Sequence, residues 1–403
     1  MQSNRRKFIT GLGTAAMFVP QTAFGANDRI TYAAIATGGR GRGVSRLFSK
    51  LGAQCLAICD VYQPHLDLAQ KDSPDAKPFG DYHELLSQTS GLDAVMIASP
   101  DHQHFPMLKA ALEAKKDVYL EKPLSKTLEQ SSQMIKAVRG SSQVVQIGMQ
   151  RRSAPAIHQA KELIDGGVLG RVTLVKPQWH WNISAKLDNS PLPGKLDWKR
   201  FLGSAPERDL EPMRFRRWRY FWDYAGGNMT DQGTHLMDVV QWFMNSGAPK
   251  SAVCHGYVAK MEGAEHPDVF SAVLEYPGFM VTWTLDYANS FQNGWSITFM
   301  GDKGTLILDE AGYKVYAEPW RRGAEPVHQQ DAPVPLDAHI QNFLDCVKSR
   351  REPNCTVEIA AQAVAGPHLA NVAMVEGRKV KLDPVNYKQN TPAAASIATA
   401  AHV

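Results

Sequence analysis

Between Ile30 and Ile147 short apolar runs alternate with helical stretches, and this alternation constrains the fold more than any other feature of the chain. The runs are Ile30 to Ala36, Ala53 to Asp60, Ala94 to Ala98, Asp117 to Leu120 and Val144 to Ile147. They have strand length, and most of their positions are apolar, so both sides of each strand need cover. Helical stretches from Gly43, near Pro64, and from Tyr82, Phe105 and Thr127 supply it. The pattern predicts a doubly wound parallel sheet, of α/β Rossmann class, over residues 29–150.

The pattern then changes. After a helix from Ala154 to Leu163 and the turn Asp165-Gly166-Gly167 come longer strands: Arg171 to Trp181, Ser251 to Lys260, Val269 to Tyr276, Phe279 to Asp286, Trp295 to Met300 and Gly304 to Leu308. Turns such as Tyr276-Pro277-Gly278 and Gly301-Asp302-Lys303-Gly304 join neighbours, which implies antiparallel pairing. One insert, Gly226 to Met244, reads as helix, as do Leu336 to Ser349 and Thr356 to Met374. The expectation is an α+β domain over 151–385 with a large, mostly antiparallel sheet, followed by a small-residue, disordered tail over 386–403. With 44% hydrophobic residues, 403 residues hold enough apolar mass for two cores.

Forty-four basic against 40 acidic residues leave a mild charge of +4, and no Lys/Arg block interleaves with aromatics, so nucleic acid is not an expected partner. Five cysteines without CxxC spacing indicate neither a metal site nor a disulfide framework. Cys55 and Cys59, inside an apolar strand, read as buried inert thiols. At the N-terminus, Asn4-Arg5-Arg6-Lys7-Phe8-Ile9 precedes a weakly apolar run, Gly11 to Val19, ending near Ala23-Phe24-Gly25-Ala26. Residues 1–26 therefore read as a twin-arginine (Tat) signal peptide, too short to anchor in a bilayer. The expectation is Tat-dependent export to the periplasm after folding in a reducing cytoplasm; the alternative is a basic N-terminus of a cytoplasmic protein.

The first strand runs into Ala36-Thr37-Gly38-Gly39-Arg40-Gly41, which opens the first helix in the frame A-x-G-x-x-G. Gly38 lets a backbone approach a pyrophosphate, Gly41 allows close helix packing, and the helix N-terminus offers free N–H groups. A glycine-rich turn without a ligand is the plainer alternative. Asp60 ends the second strand, 24 residues after Ala36, where a carboxylate for ribose hydroxyls is wanted. It favours NAD over NADP, whereas Arg40 is long enough to reach a 2'-phosphate.

Three later segments carry candidate chemistry. Ser99-Pro100-Asp101-His102-Gln103-His104 and Glu121-Lys122-Pro123 follow parallel strands, at the edge where open sheets bind ligands. In Gly226-Gly227-Asn228-Met229-Thr230-Asp231-Gln232-Gly233-Thr234-His235, a continuous helix makes Asp231 and His235 i,i+4 neighbours facing one cleft. The bland alternative is a capping Asp231 and an interior His235.

Together these segments resemble the glucose-fructose oxidoreductase, inositol dehydrogenase and rhizopine catabolism (Gfo/Idh/MocA) family, from Arg29 to about Met374. Asp197-Trp198, Phe201-Leu202-Gly203 and His339-Ile340-Gln341-Asn342-Phe343-Leu344 belong to the likeness. The resemblance implies that Lys122 of Glu121-Lys122-Pro123 is the catalytic lysine and that Asp231 and His235 are the paired acid and histidine. It implies that Pro100 and His104 flank the nicotinamide, and it adds Glu121 and Lys122 to the cofactor residues Ala36, Thr37, Gly38, Gly39, Arg40, Gly41 and Asp60. Ala36 for the first glycine and Asp101 for a common Asn depart from the pattern. The implied activity is hydride transfer at a CH–OH group of a sugar, polyol or glycoside, with His235 as base, Asp231 orienting it and Lys122 stabilising the alkoxide.

Arg151, His180 and Tyr224 are weaker substrate candidates, since aromatic-rich segments such as Gln178 to Asn182 and Arg214 to Tyr224 serve packing equally well. Export implies a tightly held cofactor. A redox-neutral glycosidase, working by transient oxidation and elimination, is the second reading, and a non-catalytic NAD-binding protein the third; intact Lys122, Asp231 and His235 argue against the last. The large second sheet suggests a homo-oligomer.

Overall fold

The computed structural model describes residues 29–183 and 187–382, so the expected signal peptide (1–26) and tail (386–403) lie outside the described residues. The chain opens with β1 (Thr31–Ile35), α1 (Gly39–Lys50), β2 (Gln54–Cys59), α2 (Gln63–Asp72), β3 (Lys77–Phe79), α3 (Tyr82–Gln88), β4 (Ala94–Ile97), α4 (His104–Glu113), β5 (Asp117–Leu120), α5 (Leu128–Arg139) and β6 (Val145–Ile147). The six strands form one sheet in the order β3-β2-β1-β4-β5-β6, and every pairing in it is parallel. This is the predicted doubly wound sheet. β3 is an addition: Lys77-Pro78-Phe79 has no apolar run to betray it, and a proline is tolerated because β3 is an edge strand. The order reverses at β1, between β2 and β4, so the loops leaving β1 and β4 diverge there and open a crevice.

The second half contains α6 (Pro155–Asp165), β7 (Val172–His180), α7 (Trp198–Leu202), α8 (Pro212–Arg216), α9 (Gly227–Asp231) and α10 (Gly233–Phe243). Then follow β8 (Ser251–Tyr257), β9 (Val269–Tyr276), β10 (Phe279–Asp286), β11 (Gly294–Gly301), β12 (Gly304–Asp309), β13 (Gly312–Ala317) and β14 (His328–Asp331), and finally α11 (Asp337–Ser349), α12 (Val357–Glu376) and β15 (Val380–Lys381). The nine strands pair as β14-β13-β12-β11-β7-β10-β9-β8-β15, antiparallel except for β10 beside β7. Alternation sets the faces: Phe279, Val281, Trp283 and Leu285 of β10 are buried, whereas Met280, Thr282, Thr284 and Asp286 are not. β14 escaped the sequence reading because His-Gln-Gln-Asp is wholly polar, as an edge strand permits.

Packing does not divide where the composition does, near residue 150. Phe343 of α11 packs on Phe48 and Tyr119 of the first sheet's core, with ring centroids 5.8 Å apart in each case. In α12, Val357 to Val364 joins the core of the first sheet while Leu369 to Ala373 joins that of the second. A helix that serves two cores must be apolar all round, as this one is.

Candidate active site

The turn after β1 is built by close approach. Ala36 has φ of +65° and is held by its N–H donating to the Cys59 carbonyl at 2.8 Å. A Cβ on Gly41 would come within 2.0 Å of the Ala36 oxygen, so only glycine fits there, whereas Gly39 faces open space. The first turn of α1 is thereby brought close against the sheet edge, with N–H groups that have no intrahelical acceptor. The buried Asp60 carboxylate accepts from the Thr37 N–H at 2.8 Å and the Tyr62 N–H at 2.9 Å, and lies 3.3 Å from His65 Nδ1. It fixes the turn as well as lining the crevice. Arg40 points elsewhere: its Nη2 is 2.7 Å from Glu121 Oε1, at the end of β5.

A cleft of about 1040 Å³ runs along this edge, lined by Ala36, Gly38 to Gly41, Asp60, Pro100 and Arg219 among others. Its size is at the upper end for small-molecule sites, roughly 300–1,000 Å³, and suits an extended dinucleotide. The facing wall is a strap over 187–203 that crosses back from the second sheet. Gln63 N–H donates to Lys195 O at 2.9 Å, Asp197 N–H to Val61 O at 2.8 Å, and Gln103 Nε2 to the Arg200 and Phe201 carbonyls at 3.2 Å. Thr37, Glu121 and His104, expected among the cofactor residues, stand behind this cleft. His104 is buried between the Pro123 carbonyl (2.7 Å from Nδ1) and the Ser99 carbonyl (2.9 Å from Nε2), so it ties the β4 turn to the β5 turn.

Lys122 precedes Pro123 across a cis peptide bond. Its ammonium donates to Asp231 Oδ1 at 2.7 Å and to the Asp231 carbonyl at 2.9 Å. Arg219 Nε adds a second contact to Oδ1 at 3.1 Å. Burial pulls the Asp231 carboxyl upward, but these two cations outweigh it and hold it well below the usual carboxylate range. Burial, then the charges of Lys122 and Arg151, pushes the partly buried His235 imidazole well below its ordinary value, so it is neutral at neutral pH. Lys122, Asp231 and His235 do not line the large cleft themselves; Arg219 lines it and links it to them.

The helix expected through Asp231 and His235 is interrupted at a single residue, Gln232, whose backbone keeps right-handed helical angles. α9 ends at Asp231, Gln232 intervenes, and α10 starts at Gly233. Asp231 engages Lys122 and Arg219, and no hydrogen bond joins it to His235 among the described residues. The entry to α9 depends on Gly227, whose φ is +67° and where a Cβ would meet the His266 ring at 2.5 Å. Sequence reasoning missed Arg219, twelve residues before its partner, and the buried pair Arg152–Asp238 (2.7 Å) that fastens α10 to the turn after β6. Asp101 stands where the family pattern commonly has Asn. It is buried, with Oδ1 unpartnered among the described residues, and burial together with the nearby Asp231 charge raises its pKa to about 7.

Residues 35–149 match the oxidoreductase family GFO_IDH_MocA with its NAD-binding Rossmann fold, and residues 157–307 match the family's C-terminal domain. The chain belongs to the Gfo/Idh/MocA family. Among curated relatives of this family member, YrbE of Bacillus subtilis, an uncharacterized oxidoreductase, is 27% identical over 48% of the chain. An inositol 2-dehydrogenase of Salmonella paratyphi B is 33% identical over 33% of it. The alignments span only 47% and 40% of those proteins' own length. A myo-inositol 2-dehydrogenase of Thermotoga maritima is 23% identical over 82% of this chain and 91% of its own. Among solved structures, levoglucosan dehydrogenase with NADH and L-sorbose superposes with a TM-score of 0.71 at 17% identity, covering 89% of this chain and all of that one. Aldose-aldose oxidoreductase of Caulobacter crescentus gives 0.68 at 19%, covering 88% and 100%. These likenesses show the fold.

For this Gfo/Idh/MocA protein the three weaker substrate candidates separate. Alternation along β7 puts His180 on the face opposite Trp179, where its Nδ1 lies 3.3 Å from the Phe291 carbonyl. Tyr224 is fully buried against His102 and Phe201, a packing residue between strap and sheet. Neither stands with Lys122. Arg151 does stay on the inner side, over the Trp295 ring.

Proposed function

We propose that the protein is an NAD(P)-dependent oxidoreductase that oxidises a CH–OH group of a sugar or polyol. The observation that carries this reading is the Lys122–Asp231 ion pair beside a neutral His235 at the Arg219 end of a dinucleotide-sized cleft. When bound, nicotinamide supplies the hydride acceptor. His235 takes the hydroxyl proton, for which a neutral imidazole is required. Lys122, held at a fixed point by two oxygens of Asp231, stabilises the negative charge that develops on the substrate oxygen. Asp231 holds Lys122 by hydrogen bonds and reaches His235 through its charge alone, and Arg219 joins that carboxylate to the cleft.

NAD is favoured over NADP. Asp60 lines the cleft with a carboxylate that would repel a 2'-phosphate, and Arg40, the one residue of the glycine turn able to offset it, is committed to Glu121. The strap supports a cofactor that is retained between turnovers. Arg5-Arg6-Lys7-Phe8 supports Tat-dependent export to the periplasm, and the outer face of the nine-stranded sheet, with Val253, Tyr257, Met280 and Met300 exposed, supports a homo-oligomer.

Purified protein loaded with NAD or NADP and mixed with a panel of sugars and polyols tests the reading through the absorbance of reduced nicotinamide. Stable reduction with NAD is expected. Release of an aglycone without net reduction would point to the redox-neutral glycosidase instead, and tighter binding of NADP would overturn the cofactor preference.

A further inference from the structure

Arg151 is 7% exposed, yet its guanidinium forms no ion pair among the described residues and its Nη1 is buried without a hydrogen-bond partner. The neighbouring Arg152 shows the contrast, with its Nε on Asp238 Oδ1 at 2.7 Å. Arg151 is held instead by aromatic rings: its guanidinium carbon lies 3.8 Å from the Trp295 ring centre and 5.5 Å from that of Trp179. The carboxylates whose charge reaches it are Asp238, already bonded to Arg152, and Glu310, which is exposed. Burial pulls its pKa down to about 9, so the group remains cationic at neutral pH. A desolvated cation with unmade hydrogen bonds is a standing cost in the free protein, and an anion that fills those bonds removes it.

The position of this cation ties it to the reacting centre. Arg151 follows β6 directly beside Gln150, whose Nε2 reaches Glu121 Oε1 at 3.3 Å, one residue before Lys122. An aromatic floor runs from it toward the centre: Trp179 to Trp181 at 5.1 Å, Trp181 to Tyr287 at 5.6 Å, and Tyr287 Oη to Gln232 Nε2 at 2.9 Å, next to Asp231. Arg151 is also among the charges that act on His235. Arg151 therefore brings a planar fork suited to a carboxylate into the neighbourhood of Lys122 and His235.

We propose that Arg151, with Trp179 and Trp295, forms a subsite for the carboxylate of an acidic sugar, so that the substrate is a uronic or aldonic acid oxidised at a ring or chain hydroxyl. This rests on the oxidoreductase reading above. The carbinol carbon gives a hydride to the nicotinamide and its hydroxyl proton to His235, becoming a carbonyl, while the carboxylate on Arg151 is unchanged.

The test compares D-glucuronate, D-galacturonate and D-gluconate with D-glucose and D-galactose in the cofactor-loaded protein, by kcat/KM and by calorimetric binding, in wild type, Arg151→Met and Arg151→Lys. NAD affinity serves as the check on folding. The acidic sugars are expected to be preferred, and Arg151→Met to reduce the acid-to-neutral ratio about 10- to 100-fold, with Arg151→Lys in between. Equal kcat/KM for acidic and neutral sugars in wild type, or a ratio unmoved by Arg151→Met, overturns the subsite. If no sugar of either kind reduces the cofactor, the oxidoreductase reading fails. Calorimetry then decides the subsite by itself: glucuronate binding lost in Arg151→Met supports it, and no binding by wild type sinks it.

Discussion

Lys122 is held by two oxygens of one residue, and Asp231 by two cations, so the charges at this centre are placed before any substrate arrives. That preorganisation is where a positively charged group gains most against a developing oxyanion. Replacing Lys122 with alanine is expected to lower kcat about 10²–10³-fold while NAD affinity, measured by fluorescence titration, stays near normal. Replacing His235 with alanine removes the proton acceptor, with an expected loss of about 10²–10⁴-fold. Near-normal turnover in either variant would remove it from the mechanism. The residue types were legible in the sequence because Lys122, Asp231 and His235 sit in short, recognisable segments. Their pairing was not, since it depends on the turn after β5 aiming Lys122 at Asp231 and on Arg219 arriving from another loop. His180 misled for a related reason: the strand is legible in the sequence, but which of its faces is buried is set by packing against α10.

At the scale of elements, the strap over 187–203 has no counterpart in the periodicities from which the two sheets were read. Apart from the single turn of α7 it is irregular chain, pinned by hydrogen bonds to the first half of the molecule, so composition carries no trace of it. Strands β3 and β14 were missed on the same principle, being short edge elements whose residues look like loop. The strap ends at Gly203, with φ of +54°, where an added Cβ would come within 2.1 Å of Gln103 Nε2. That nitrogen is the donor to the Arg200 and Phe201 carbonyls. Gly203→Ala therefore breaks two hydrogen bonds, each worth about 0.5–1.5 kcal/mol, and lifts the strap from the cleft. Cofactor affinity is expected to fall about tenfold, mostly through faster release, with kcat at saturating NAD much less affected. Stopped-flow release of the reduced cofactor measures this directly. An unchanged release rate would mean that the strap walls the cleft without retaining its occupant.

Across the whole molecule, buried histidines sit on backbone carbonyls, three of them across the seam between the two halves and His266 within the second. His102 Nε2 pairs with the Phe201 carbonyl of the strap at 2.8 Å, His339 Nε2 with the Ile147 carbonyl at 2.9 Å, His368 Nε2 with the Ser125 carbonyl at 3.0 Å, and His266 Nε2 with the Ala225 carbonyl at 3.1 Å. Burial lowers the pKa of the first three to about 4 and of His266 to about 3. In the unfolded chain each titrates near about 6.5, so below that pH the unfolded state binds protons that the folded state refuses. Stability from these groups is complete above about pH 6.5 and is lost as pH falls toward 4, each histidine contributing a slope of about 1.4 kcal/mol per pH unit. Asp101 works in the opposite sense. Its raised pKa of about 7 means that the folded state holds an extra proton between about pH 4 and 7, so its contribution is present in acid and lost as pH rises through 7. Burial raises the Asp238 carboxyl in the same sense, but two carboxyls do not offset these four imidazoles, to which the buried His104 and His235 add. Urea unfolding at pH 7.5, 6.5, 5.5 and 5 is therefore expected to show a midpoint that falls ever more steeply with acidification, and His339→Gln and His368→Gln should each flatten that dependence by about one proton. A midpoint independent of pH over this range would show that the imidazoles along the seam are reached by protons without unfolding.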